Sequence, residues 1–114
     1  VRMEITRVIP MTKAEPTQLH VLTQLQERIA FMRYDVKENM TPRDLAWVQS
    51  VALAYPGGGG LYKAAKALAL NGDVKAAEML LTKACKVDDC RLIEVVWKQD
   101  AEVTPRIAAV RWPN

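Results

Sequence analysis

Residues 61–87 read LYKAAKALALNGDVKAAEMLLTKACKV, two apolar series of helical period separated by Asn71-Gly72-Asp73. Leu61, Ala65 and Leu68 fall on one face of the first series. Val74, Ala77, Leu81 and Ala84 recur at i, i+3, i+7 and i+10 in the second. Glycine takes the left-handed conformation that closes a helix, and aspartate caps the one that follows. The stretch therefore predicts two helices, Leu61 to Leu70 and Asp73 to Val87, folded into an antiparallel hairpin with their small residues facing each other.

Upstream, Thr41-Pro42-Arg43-Asp44 starts another helix: the hydroxyl caps, proline suits the first helical position, and the aspartate sits at the positive end of the dipole. Leu45, Val48, Ala52 and Tyr55, with Trp47, Val51 and Ala54 beside them, make it apolar over a wide arc, as for a helix packed on two sides. Pro56 and Gly57 to Gly60 stop it. Leu22, Leu25, Ile29 and Met32 form one stripe of a first helix, which Pro16 opens and the polar run 34–39 ends. Downstream, Asp88-Asp89 forms a turn, and Leu92, Ile93, Val96 and Trp97 give a fifth helix that fades before Thr104-Pro105. Alternation over Val1, Met3 and Ile5 suits a short strand or extended arm, and Ile107 to Trp112 is a candidate strand beside it.

The expected fold is thus all-α, about five helices with an N-terminal arm. A length of 114 residues fits one domain, with the arm at 1–15, the first helix at 16–33, a core at 41–97 and a tail at 104–114. Half the residues are hydrophobic and 25% are charged, an ordinary globular mixture. Sixteen Lys plus Arg against 13 Asp plus Glu leave a net charge of +3, too little to call for a nucleic-acid partner. No apolar run approaches the roughly 20 residues of a membrane span. Val1 to Pro10 lacks the apolar centre of a secretory signal, and the chain does not open on methionine, which fits a processed or excised segment.

The hairpin resembles one tetratricopeptide unit. Leu61, Ala64, Ala65 and Leu68 match the first helix, Gly72 the turn, and Ala77, Leu81 and Ala84 the second helix, with Asp89 where the repeat ends in proline. A longer resemblance runs from about Tyr34 to Trp97. It is carried by Met40-Thr41-Pro42-Arg43-Asp44-Leu45-Ala46-Trp47-Val48, Tyr55-Pro56, Leu61-Tyr62-Lys63-Ala64-Ala65, Leu68-Ala69-Leu70-Asn71-Gly72 and the cysteine pair. These elements are similar to the C-terminal domain of bacterial O-antigen polymerase and ligase-like membrane proteins, pilin O-oligosaccharyltransferases among them. The resemblance implies a periplasmic accessory domain, attached through its parent to the inner membrane. Its partners would be the membrane-embedded part of the same polypeptide and a pilin-like acceptor or lipid-linked glycan. It implies no catalytic residue here, since the family's catalytic groups lie in an upstream loop. Gly57 to Gly60 departs from the family's Pro- or Ser-containing linker, and the N-terminal arm does not align. A free-standing tetratricopeptide-like module that binds proteins is the alternative.

Individual sites point the same way. Gly57 to Gly60 follows a helix and lacks the Gly-Lys-Ser/Thr of a phosphate loop, and Tyr62 stands where a dinucleotide fold needs its third glycine. His20 has no paired acid or nucleophile, and Asp88-Asp89 reads as a polar turn, so no catalytic, cofactor or metal residue is assigned. Cys85 and Cys90 are five apart, too far for a bond within one helix, but the break at Asp88-Asp89 allows them to meet. A periplasmic location, as the resemblance implies, favours the disulfide; two buried free thiols are the other reading. Lys63, Lys66, Lys75, Lys83 and Lys86 form a solvated face or one leaning toward anionic head groups. Trp47 and Tyr62 serve either as core aromatics or, with Lys63 and Lys66, as a partner-binding surface.

Overall fold

A helix built from alanine and leucine, such as Leu61 to Leu70, has little bulk to keep neighbours at a distance, and it becomes the axis of the molecule. The computed structural model describes residues 16–57 and 59–112. Six helices follow in order: α1 (Pro16–Arg33), α2 (Pro42–Ala54), α3 (Gly60–Leu70), α4 (Val74–Val87), α5 (Cys90–Val103) and α6 (Pro105–Ala108). The fold is all-α, with no strand among the described residues. Seven residues of α3 are buried, from Leu61 to Leu70, because α2, α4 and α6 all pack on it. Ala64, Ala65 and Ala67 meet Ala77, Leu80, Leu81 and Ala84 of α4 and Val48, Val51 and Ala52 of α2 in one continuous core.

The helix ends follow from local chemistry. Thr41 accepts from the Asp44 N–H at 3.1 Å, with Pro42 at the first helical position, and Asp73 accepts from the Ala76 N–H at 3.1 Å. Asp89 Oδ1 accepts from the Arg91 N–H at 3.0 Å and so opens α5. Gly72, at φ 90°, closes α3: its N–H reaches the Ala69 carbonyl at 3.1 Å and the Asp73 N–H reaches Leu68 at 2.9 Å. This six-residue closure turns the chain directly into α4.

Two expectations change. The candidate strand Ile107 to Trp112 does not form: Ile107 and Ala108 end a helical turn, α6, with Pro105 at its first position and the Ile107 N–H bonded to the Thr104 carbonyl, and residues 109–112 leave it as turn and coil. The apolar residues of that stretch are used all the same, Ile107 and Val110 being buried in the core. Arg106 of α6 donates to the Leu70 carbonyl at 2.8 Å, covering the C-terminal end of α3. The first helix forms over its expected span, but the stripe Leu22, Leu25, Ile29 and Met32 stays in solvent, at 40, 49, 45 and 71% exposure. The arm expected over residues 1–15 lies outside the described residues.

Candidate functional site

The exposed stripe of α1 results from which face the helix gives to its neighbour. Phe31 is buried with its ring edge-on to Trp47, the centroids 6.0 Å apart, and Glu27 accepts a 3.1 Å hydrogen bond from the hydroxyl of Tyr55, the residue that caps the C-terminus of α2. At about 100° per residue, Glu27 and Phe31 share one face, and Leu22, Leu25, Ile29 and Met32 lie on the opposite one. The helix therefore attaches through a carboxylate and an aromatic ring and turns its aliphatic side outward. Val21 widens this exposed arc on the side of Met32.

Lys63 fastens the C-terminal end of α1. Its ammonium donates to the Phe31 carbonyl and, at 3.1 Å, to that of Met32, supplying partners that the last turn of a helix lacks. Burial pulls its pKa below the usual lysine value, with Asp35 acting in the opposite direction. The ammonium also lies 5.2 Å from the centre of the Phe31 ring. Beside this contact is a cavity of about 290 Å³ lined by Arg28, Phe31, Met32, Tyr55, Gly60 and Lys63, among others. Arg28 lies over the Tyr55 ring, 5.7 Å from its centre. Gly60 keeps the cavity open next to Phe31, since a Cβ there would come 3.3 Å from the Phe31 ring.

The other residues singled out from sequence fall into separate clusters. Half-buried Trp47 packs on Phe31 and Tyr34, the latter centroid 5.5 Å away. Tyr62 sits edge-on to buried Trp97, at 5.5 Å, and its hydroxyl donates to the Asp100 carboxylate. Lys66 reaches the same carboxylate oxygen at 3.4 Å, so these three side chains tie α3 to α5. Burial, and then the hydrogen bond to Asp100, raise the Tyr62 pKa well above that of free tyrosine. Trp47 and Tyr62 thus do not share one surface. Tyr62, Lys63 and Lys66 all have intramolecular partners.

Cys85, in the last turn of α4, and Cys90, the first residue of α5, are disulfide-bonded with Cα atoms 4.3 Å apart. The His20 ring nitrogen Nε2 lies 2.8 Å from the side-chain nitrogen of Gln24, one turn further along α1. Among the described residues, no group of three His, Cys, Asp or Glu side chains is placed to hold a metal ion. No described helix is long and apolar enough to cross a membrane.

Asn71, part of the Asn71-Gly72 turn in sequence, has a wider structural role. Its side chain accepts from the Met40 N–H at 2.8 Å and donates to the Lys37 and Ala67 carbonyls at 3.0 and 2.8 Å. It thereby ties the α1–α2 connector to the end of α3. An Asn before a helix-closing Gly signals the turn but carries no sign of partners more than 30 residues away. No known family matches the chain, and neither a curated protein nor a solved structure does.

Proposed function

We propose that this chain is a non-catalytic docking domain, and in particular the periplasmic accessory domain of a bacterial membrane glycosyltransferase of the O-antigen polymerase or O-oligosaccharyltransferase type. The observation that carries the docking role is the α1 stripe, since contiguous apolar surface directed away from a protein's own core marks an interaction site. The arrangement of the polar groups supports a scaffold: Tyr62, Lys66 and Asp100 join α3 to α5, Lys63 and Arg106 cover helix ends, and Asn71 holds a connector. The link to a glycosyltransferase rests on the Met40–Val48, Leu61–Ala65 and Leu68–Gly72 resemblance. As such a domain it would position an acceptor, or steady the membrane portion, while chemistry proceeds elsewhere in the parent.

The test combines the gene and a variant. The reading frame upstream of Val1 is expected to encode multiple apolar spans, and Leu25→Glu/Ile29→Glu in that full-length protein is expected to lower glycan transfer to acceptor while lipid-linked glycan persists. A start codon immediately before Val1, or undiminished transfer by the variant, overturns the accessory reading. The start codon would instead favour the free-standing tetratricopeptide-like module, for which the close α3–α4 hairpin is the supporting feature.

A further inference from the structure

We infer that the outward face of α1 is a membrane-surface site: the helix lies in the interface of an anionic bilayer, its aliphatic stripe at the acyl boundary and a lipid phosphate in the cavity between Arg28 and Lys63. This deepens the docking reading and rests on it, but it does not depend on a glycosyltransferase parent.

Charge selects the occupant. The outward half of α1 carries Val21, Leu22, Leu25, Ile29 and Met32 together with Gln18 and Gln26, and Arg28 and Arg33 lie to either side of the aliphatic stripe. The one carboxylate of the helix, Glu27, is on the opposite side, bonded to Tyr55. Cations at the edges of an aliphatic face can extend to phosphates while their stems remain against apolar chains. A second copy is a poorer fit. Pairing along Leu22, Leu25, Ile29 and Met32 would set Arg28 against the partner's Arg28 in an antiparallel pair, or against the partner's Arg33 in a parallel one, like charges in either case.

The cavity supplies the second observation. It meets the stripe at Met32, and its lining contains two cations and no carboxylate. Lys63 gives two of its three N–H donors to the Phe31 and Met32 carbonyls and keeps its charge on the cavity wall, with Asp35, which is not among the lining residues, as the nearby counter-charge. Arg28 brings a guanidinium to the same space. A phosphate held there leaves the acyl chains of its lipid alongside the stripe.

Flotation of the full chain with phosphatidylcholine vesicles, with and without phosphatidylglycerol, tests this. Binding is expected on the anionic vesicles and is expected to weaken at high salt. Arg28→Glu/Arg33→Glu should lower the partition coefficient at least tenfold, because each cation near an anionic surface contributes roughly fivefold. Leu25→Glu/Ile29→Glu should abolish binding with the helical circular dichroism spectrum retained. Arg28→Ala should lose more than Arg33→Ala, since only Arg28 lines the cavity; equal losses overturn the placement of the phosphate. Equal partition on neutral and anionic vesicles, or none on either by folded protein, overturns the site. So does a concentration-dependent dimer that Leu25→Glu dissolves, which would make a second copy the occupant. Failure here leaves the glycan-transfer assay to decide the parent enzyme independently.

Discussion

Replacing Asn71 should destabilise the protein out of proportion to its position in a turn. Its amide makes three hydrogen bonds, to Met40 N–H, Lys37 carbonyl and Ala67 carbonyl, at 2.8, 3.0 and 2.8 Å. Each such bond is worth about 0.5–1.5 kcal/mol net, so Asn71→Ala should cost roughly 2–4 kcal/mol. The loss falls on long-range order, because Met40, itself buried, is placed by this contact and leads into the cap of α2. Asn71→Asp makes a sharper test. It keeps an acceptor for the Met40 N–H but turns a carboxylate oxygen, in place of a donor, toward two carbonyls. At neutral pH it should be no more stable than Asn71→Ala. The unfavourable charge raises the folded-state pKa of the new carboxyl above its unfolded value. The variant's deficit relative to the parent protein is therefore smallest below the unfolded pKa and grows as pH rises through the folded one. Urea unfolding followed by tryptophan fluorescence and circular dichroism measures both. If Asn71→Ala and Asn71→Asp each lie within about 0.5 kcal/mol of the parent, the three contacts do not hold the connector and the reasoning fails.

The Cys85–Cys90 bond closes a short loop, for which chain entropy gives about 2 kcal/mol, so full reduction should lower Tm by roughly 10 °C. An unchanged melt with both thiols shown free by alkylation would contradict it. Tyr62 has a raised folded-state pKa, so its contribution is complete below the unfolded value of 10 and declines as pH climbs above it. Tyr62→Phe should cost about 1 kcal/mol at neutral pH and lessen the alkaline loss; an identical alkaline slope would count against the Asp100 contact. Gly72→Ala should cost about 1 kcal/mol or more from its positive φ alone, since its Cβ would meet nothing, and Gly72→Asn should cost less. Equal stability of all three in thermal melts would show that the turn relaxes.

The helices were legible because their signals are local. Thr41, Asp73 and Gly72 act on backbone groups within a few residues, and the alanine and leucine spacing of α3 and α4 selects the faces that pack. The tail was ambiguous for a matching reason: Ile107 and Val110 carry the same apolar character in a strand as in a helical turn, and only the bond from the Ile107 N–H to Thr104 separates the two.

The candidate site was legible only in part. The stripe on α1 is plain in sequence, but the pattern is the same whether it faces a core or solvent. The contacts of Glu27 with Tyr55, Phe31 with Trp47 and the Phe31 and Met32 carbonyls with Lys63 orient the helix, and each joins residues well separated along the chain. Lys63 and Tyr62 illustrate the same limit: adjacent in sequence, they project to different sides of α3, one to the end of α1 and the other to α5. By itself the sequence determined the helices, their caps and the α3–α4 hairpin, because backbone hydrogen bonding and side-chain period act over a few residues. Tertiary structure alone decided that α1 turns its aliphatic face outward, since that depends on which of two faces finds a complementary neighbour.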